Sequence, residues 1–184
     1  MKKLLIIISL FTLISCTHQD QNIRLDFSFD EKKSNIGNGV GINVAVVDNR
    51  SETKFLGSKE FCDAQQISII SEQNLAEIVK KEIDNQLLRK GFRQGDDKLV
   101  EIQIQQLKYE AQCGIILGKS KADILVTVTV TTPRVGGKIT KNFNISLDNK
   151  HFIIPLAGTD AKTINNLIKE VVENILDDDM ILRN

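Results

Sequence analysis

Hydrophobic and polar residues alternate along several segments of the chain, a pattern typical of β-strands with one buried face. The first such segment spans residues 42–47, and a shorter one spans residues 66–70. Three longer segments, at residues 100–109, 124–131 and 139–147, follow one another closely. These three predict an antiparallel meander with one solvated face rich in Thr and Asn.

The alternation breaks at two places. Within the strand predicted at residues 100–109, the phase shifts between Gln105 and Gln106, which predicts a β-bulge. Residues 51–64 carry little pattern and contain Gly57, so we expect a loop there.

Two other segments place hydrophobic residues at spacings of three and four, which predicts amphipathic helices. The first helix is expected to begin at Ser71 as N-cap and to end before Gly91. The second is expected to begin at Thr159 or Asp160 and to end in a solvated, frayed acidic run at residues 177–179, because acids are unfavourable at a helix C-terminus. The apolar faces consist of Leu75, Ile78, Val79, Ile83 and Leu87 in the first helix, and of Ile164, Leu167, Ile168, Val171, Val172, Ile175 and Leu176 in the second.

The element order is therefore β(β)αβββα. It predicts an α+β fold of two layers, in which a mixed, mostly antiparallel sheet is covered on one face by two helices. Residues 16–40 are mostly polar and contain several glycines, so we expect a lipidated Cys followed by a flexible tether there. Within this segment Leu25, Phe27 and Phe29 alternate with polar residues, and the alternative for residues 24–29 is a short edge strand. Residues 41–184 are expected to form a single α+β domain.

The N-terminal residues have the composition of a secretory signal. Lys2 and Lys3 precede an uncharged, apolar run at residues 4–13. A bilayer span needs about 20 residues, so this run is too short to serve as one. We therefore expect residues 1–15 to be a signal peptide that is removed.

Leu13, Ile14 and Ser15 lead directly to Cys16, which resembles the lipobox of bacterial lipoproteins. The resemblance implies that the Cys16 thiol takes a diacylglyceryl group and that the new amine is acylated, with palmitate as the expected chain. Two or three such chains anchor a protein permanently, because each buried CH₂ contributes about 0.8 kcal/mol. Thr17 follows in place of an Asp, which by known sorting rules favours the outer membrane, facing the periplasm, over the inner membrane.

Charge and composition restrict the partners. The chain has 24 basic and 24 acidic side chains, dispersed among one another, which excludes nucleic acid as a main partner. Tyr109 is the only Tyr and there is no Trp, so a stacking platform for bases or sugars is poorly supplied. We expect the membrane, through the lipid anchor, and an envelope protein as partners.

Beyond Cys16, the chain has two cysteines, Cys62 and Cys113. In an oxidising periplasm they can form a disulfide, which would contribute about 4 kcal/mol by closing a loop of roughly 50 residues. The alternative is a pair of free thiols, since sequence alone does not show whether their Cα atoms are within reach.

Groups for catalysis are scarce. His18 lies in the predicted tether and His151 lies after the last strand, so neither has a clear catalytic setting. We expect no enzymatic activity, no metal and no cofactor, because too few His and Cys remain for a metal site. A hydrolase using a cysteine or His151 is the hypothesis we rank last. The glycine-rich run at residues 37–41 precedes a strand, not a helix, so it does not form a phosphate loop.

The succession of motifs resembles the YajG-like family of bacterial outer-membrane lipoproteins. Each motif is short, and their order across most of the chain carries the resemblance. The motifs are the lipobox at Cys16, Val47-Asp48-Asn49-Arg50, Arg89-Lys90-Gly91-Phe92, Lys121-Ala122-Asp123-Ile124 and Thr140-Lys141-Asn142-Phe143. Cys62, Cys113 and the acidic residues 177–179 depart from the family pattern. The resemblance implies location and fold, and it supplies neither a reaction nor catalytic residues.

The resulting prediction is a lipid-anchored, non-enzymatic binding or assembly module of the Gram-negative envelope. Asp48 and Arg50, at the end of the first strand, and Lys121 and Asp123, on the meander, are the candidate partner contacts; the alternative for each pair is a surface ion pair. The Thr- and Asn-rich face is either an ordinary hydrated surface or a docking surface. The alternative function is a carrier of lipid-like ligands that assists an envelope transporter.

Overall fold

One mixed sheet of eight strands dominates the fold in the computed structural model, which describes residues 19–29, 33–152 and 154–182. The strands are β1 (Gln21–Asn22), β2 (Gly41–Asp48), β3 (Phe55–Glu60), β4 (Gln66–Ile70), β5 (Arg93–Gln94), β6 (Lys98–Gln112), β7 (Leu117–Thr132) and β8 (Gly137–Phe152). The helices are α1 (Leu75–Arg89), α2 (Ala157–Leu176) and the short α3 (Asp179–Leu182). The predicted α+β sandwich is confirmed.

Strand β6 is the centre of the sheet. Along one side it pairs antiparallel with β7, which pairs in turn with β8, and this forms the predicted meander. Along the other side β2 pairs parallel with the first half of β6, and β3 pairs parallel with the second half. β4 and then β1 extend the sheet beyond β3, and β5 lies beside β2. The predicted bulge is confirmed by a register shift between Ile104 and Gln106.

The expectation of a loop over residues 51–64 is wrong, because this segment contains β3. The buried positions of this strand include Gly57 and Lys59, so its sequence lacks the apolar alternation that marks the other strands. Gly57 allows a close approach to β6: a Cβ at this position would lie 2.0 Å from the Tyr109 carbonyl oxygen. Any larger residue would push β3 away from its neighbour.

Helix α1 packs on β2, and α2 packs on β7 and β8, so both cover the same face. The predicted hydrophobic stripes are buried, with Ile78 only partly covered. The N-cap of α1 is Asn74 and not Ser71: the Asn74 side chain accepts a hydrogen bond from the Glu77 amide at 3.3 Å. The end of α1 at Gly91 is as predicted, since Gly91 has a φ of 86°.

Two expectations for the second helix are wrong. It begins at Ala157 with Leu156 as N-cap, so Thr159 and Asp160 lie inside its first turn. The acidic run at its end is also not frayed. Asp177 accepts a hydrogen bond from Lys90 at 2.7 Å, and Asp178 pairs with Lys141 and caps α3. These tertiary cations offset the unfavourable helix dipole.

The folded body begins earlier than the expected boundary at residue 41. Ile23, Leu25 and Phe27 are buried in the core, and β1 pairs with β4. Residues 33–40 form backbone hydrogen bonds with the end of α1, for example from the Gly37 amide to the Lys90 carbonyl at 2.8 Å. The segment from 21 to 29 is therefore part of the domain, not a tether. The predicted signal peptide, lipobox and Cys16 lie outside the described residues.

None of the helices in residues 19–29, 33–152 and 154–182 combines the length and the hydrophobicity of a transmembrane segment.

Candidate functional site

A buried ion pair joins the sheet to the second helix. Lys59 of β3 donates a hydrogen bond to the carboxylate of Asp160, in the first turn of α2, at 2.7 Å. The two side chains are 5% and 0% exposed. Lys59 also donates to the carbonyl of Pro155, just before the helix. A buried charge is tolerated only when it is paired and hydrogen-bonded, so these bonds fix where α2 begins.

Tyr109 of β6 completes the coordination of the Asp160 carboxylate. Its hydroxyl donates to the second carboxylate oxygen at 2.5 Å, and its side chain is fully buried. Burial raises the pKa of Tyr109 far above its usual value, the Asp160 carboxylate raises it further, and a hydrogen bond with Ser120 acts in the opposite direction. Tyr109 therefore stays protonated and remains a hydrogen-bond donor.

The network continues to the surface through β7 and β8. The hydroxyl of buried Ser120 lies 2.6 Å from Nε2 of His151, which is half-exposed. Lys59, Asp160, Tyr109, Ser120 and His151 thus form one continuous chain of polar groups. We call this chain the buried polar network.

His151 borders a groove of about 590 Å³ between β8 and α2. The groove is lined by polar side chains and by charged groups of both signs. They include Asn149, Lys162, Asn166, Lys169, Glu170 and Glu173. This lining does not suit a lipid-like ligand, which requires a mostly apolar cavity. The groove therefore gives no support to the carrier alternative.

The buried polar network also lacks the arrangement of a hydrolase. Ser120 is only 2% exposed, and its hydroxyl is shared between Tyr109 and His151. In the part of the chain that the structure describes, no carboxylate is hydrogen-bonded to His151, as the third member of a triad would be. The same part contains no cluster of His, Cys, Asp and Glu that would hold a metal. The buried polar network instead holds α2 against the sheet.

Cys62 and Cys113 form a disulfide in the structure, with their Cα atoms 5.1 Å apart. Cys62 lies in the turn between β3 and β4, and Cys113 lies directly after β6. The bond therefore joins two connections at the same end of the sheet. A disulfide sulfur is not a thiolate nucleophile, so neither cysteine is available for the thiol chemistry considered above.

The side chains of Asp48 and Arg50 are almost completely covered, contrary to the expectation that they contact a partner. Their side chains are 7% and 6% exposed and form a bidentate ion pair, with N–O distances of 2.8 and 2.7 Å. Arg50 also donates to the carbonyls of Thr53 and Phe55, at 2.6 and 2.8 Å. These bonds use the planar donors of the guanidinium to close the loop between β2 and β3. The pair has a structural role.

Lys121 and Asp123 lie on the face of β7 opposite the helices, as a surface pair 3.0 Å apart. Their side chains are 51% and 24% exposed. Partial burial raises the pKa of Asp123, but hydrogen bonds from Ser146 and Lys121 outweigh it and hold the pKa below its ordinary value. The pKa of Lys121 is raised, mainly by its hydrogen bond to Asp123. This pair remains accessible.

The rest of that face is a polar ladder across β7 and β8. Thr127 donates to Asn142 at 2.9 Å, and the hydroxyls of Thr129 and Thr140 lie 3.0 Å apart. We call the solvent side of β6, β7 and β8 the open face. It presents polar side chains of the meander at strand spacing, and none of the helices among the described residues packs over them.

Sequence reasoning missed the buried polar network. Lys59 lies in a segment whose sequence predicts a loop, and the position of Asp160 predicts a helix cap. The partners of Asp160 are 51 and 101 residues away, so no local pattern identifies them.

Comparisons with known proteins agree with this architecture. A family model described as an uncharacterized lipoprotein, Lipoprotein_16, matches residues 28–183. Among curated proteins, none matches this chain.

Solved structures with a similar fold include the following two. A protein from Xanthomonas campestris, matched by the family model DUF330, superposes with a TM-score of 0.57 at 8% identity, covering 90% of this chain and 95% of its own. The crystal structure of an uncharacterized protein superposes with a TM-score of 0.51 at 10% identity, covering 86% of this chain and 97% of its own. At such identities the likeness concerns the fold alone.

Proposed function

This chain belongs to the YajG-like family of uncharacterized lipoproteins, and on that premise we propose that it is a lipid-anchored, non-enzymatic binding module of the outer membrane. In this proposal residues 1–15 are removed, Cys16 carries the acyl chains, and the body faces the periplasm. The body then binds an envelope protein through the open face.

The observation that carries the proposal is the open face, which no helix in residues 19–29, 33–152 and 154–182 covers, whereas α1 and α2 pack on the other face of the sheet. At about 3.3 Å per residue, strands of 15 and 16 residues are about 50 Å long. Three strands about 4.8 Å apart give a surface of roughly 700 Å², close to the ~800 Å² that each partner contributes to a standard interface. The open face is therefore large enough for a specific protein partner.

The chemistry of the open face favours a protein over a glycan. Its side chains include Thr127, Thr129 and Asn142, which donate and accept hydrogen bonds in pairs. Trp and Tyr combine a flat ring with a hydrogen-bonding group, which suits a sugar, but there is no Trp and the single Tyr is buried. A partner with a polar, hydrogen-bonding surface fits this face, and the Lys121–Asp123 pair at its centre would set the orientation.

The anchor is tested by the intact mass of the protein purified from membranes. We expect loss of residues 1–15 and the added mass of a diacylglyceryl group and an acyl chain at Cys16. The Cys16→Ser variant should remain a precursor of unmodified mass. Normal processing and membrane retention of that variant would contradict the anchor, and sedimentation with the inner membrane in a density gradient would contradict the location.

The open face is tested by photo-cross-linking in intact cells. A photoreactive residue at Gln103, on the open face, should give one discrete product, and the same residue at Lys81, on the outer side of α1, should give none. The double variant Thr127→Arg and Asn142→Arg should abolish the Gln103 product while the amount of protein stays the same. Equal products from both faces, or a Gln103 product that survives the two arginines, would contradict the proposal.

A further inference from the structure

Large hydrophobic side chains are exposed together at one end of the molecule. They are 55% to 102% exposed. We call this group the apolar tip, and it consists of Ile115, Ile116, Leu117, Phe152 and Leu156. Single exposed hydrophobic residues are common on protein surfaces, whereas a cluster of this size marks an interaction site.

The topology explains why these residues lie together. Ile115 and Ile116 form the hairpin connection between β6 and β7, and Leu117 pairs in register with Phe152 at the end of β8. Leu156 immediately precedes α2 at the same end. The Cys62–Cys113 disulfide joins this hairpin to the β3–β4 turn. The apolar tip is therefore presented on a covalently braced edge and not on a free loop.

The N-terminal strand enters the fold at this same end. β1 runs parallel to β4, and the Asp20 carboxylate accepts a hydrogen bond from the Ser68 amide at 2.9 Å. The chain therefore arrives from the Gln66 end of β4. Gln66 pairs with Glu60 of β3, and Glu60 pairs with Gln112 of β6. Gln112 is the last residue of β6 and lies just before the apolar tip.

The chain between the anchor and the body is short. Cys16 precedes Gln19, the first described residue, by three positions. Three residues span at most about 11 Å when fully extended. An acylated Cys16 would therefore hold this end of the body, and not the opposite end, close to the bilayer.

We propose that the apolar tip inserts into the surface of the phospholipid bilayer beside the acylated Cys16. This inference rests on the proposed anchor and adds an orientation: the long axis of the meander points away from the membrane, and the open face stands clear of it. Lys119 and Lys150, exposed and paired in register, follow the Leu117–Phe152 pair. They lie where their ammonium groups meet anionic headgroups.

The absence of Trp from the chain makes a direct test available, since a single introduced indole reports its own environment. The processed, acylated protein, beginning at Cys16, is prepared as Ile116→Trp and, separately, as Val135→Trp. Val135 is 78% exposed in the β7–β8 hairpin at the opposite end, so it is the matched control. Each variant is reconstituted in vesicles of phosphatidylethanolamine and phosphatidylglycerol, with and without bromine on the acyl chains.

We expect the Ile116→Trp emission to shift to shorter wavelength and to be quenched severalfold by the brominated chains. The Val135→Trp emission should stay at the wavelength of a hydrated indole and lose little intensity. Adding Leu117→Asp and Phe152→Asp to the Ile116→Trp variant should remove most of the quenching, with the circular dichroism spectrum unchanged.

Four results would overturn the inference. If the Ile116→Trp emission is unquenched while the intact mass shows acyl chains on Cys16, the anchor stands and the insertion is wrong. If both indoles are quenched equally, the body lies flat. If the mass shows no acyl chains, the anchor fails and the insertion fails with it. An emission that is shifted but not quenched by brominated lipid means that a protein or a second copy covers the apolar tip.

Discussion

Two lysine–aspartate pairs lie on opposite faces of the same sheet. Lys59 and Asp160 meet at 2.7 Å under the helices, and their side chains are almost completely buried. Lys121 and Asp123 meet at 3.0 Å on the open face, where both remain accessible to water. The charges and distances are nearly the same, and the surroundings differ.

The difference shows that burial, not the ion pair itself, decides what such a pair does. In water the attraction between opposite charges is largely offset by the hydration and the side-chain freedom that they give up. Under the helices neither charge has water as an alternative, so removing one partner leaves the other buried and unpaired. The pair of Lys59 and Asp160 is therefore an obligatory structural contact, and the pair of Lys121 and Asp123 is free to exchange its partner for another molecule.

The largest expected effect is that of Asp160→Ala. It leaves the Lys59 ammonium and the Tyr109 hydroxyl without their common acceptor, and we expect a loss of about 3–5 kcal/mol in the free energy of unfolding. Urea unfolding at neutral pH measures it. The control is Asp84→Ala, which breaks the exposed Lys80–Asp84 pair on α1 and should cost less than about 0.5 kcal/mol. Similar losses in the free energy of unfolding for the two variants would contradict the conclusion that burial makes an ion pair obligatory.

A smaller effect is expected for Tyr109→Phe. The ring still fills its place in the core, but the Asp160 carboxylate loses one of its donors. Hydrogen bonds to charged groups contribute about 1.5–3 kcal/mol, and we expect a loss in this range in urea unfolding. Ser120→Ala serves as the companion variant, because it removes the next hydroxyl of the buried polar network and leaves the Asp160 coordination intact. A Tyr109→Phe protein as stable as the parent would show that the ring alone matters.

On the open face, Asp123→Asn should change the stability at neutral pH by less than about 1 kcal/mol. The same variant should weaken the cross-link from Gln103 if the Lys121–Asp123 pair orients the partner. Both the stability and the cross-link must be measured, because an exposed pair that orients a partner should affect binding while it affects folding only slightly. A loss as large as that of Asp160→Ala would contradict it.

The smallest expected effect is a difference in acid sensitivity. The pKa of Asp123 is lowered in the folded protein, so its contribution to stability is present above the unfolded value near 3.8 and is lost as the pH falls through the folded pKa. The Asp123→Asn variant should therefore lose stability less steeply than the parent below about pH 4. Urea unfolding at a series of pH values measures this slope, with Glu52→Gln in the exposed loop as the control.

The sequence predicts the elements whose pattern is local. Alternation identifies the strands of the meander, the phase shift locates the bulge after Ile104, and the three–four spacing identifies both helices. The alternation does not identify strand β3, because two of its buried positions are Gly57 and Lys59. Gly57 allows a close approach to β6, and Lys59 forms an ion pair. Asp48 and Arg50 stand out in the sequence, but their burial depends on carbonyls of the loop that follows, so they read as a surface pair. The buried polar network depends on contacts between distant segments and leaves no local pattern.

The central position of β6 has a consequence for the order in which the chain folds. β6, β7 and β8 are consecutive and joined by short connections, so their pairing closes only small loops. β2 and β3 instead pair with β6, and the paired residues lie more than 50 positions apart in the chain, as Ile42 with Lys98 and Gly57 with Tyr109 illustrate. Nonlocal parallel pairing is intrinsically slow. Until residues 98–112 are in place, β2 lacks its long partner strand and β3 can pair only with β4. During that interval β2 and the unpaired edge of β3 are the parts of the sheet most exposed to aggregation.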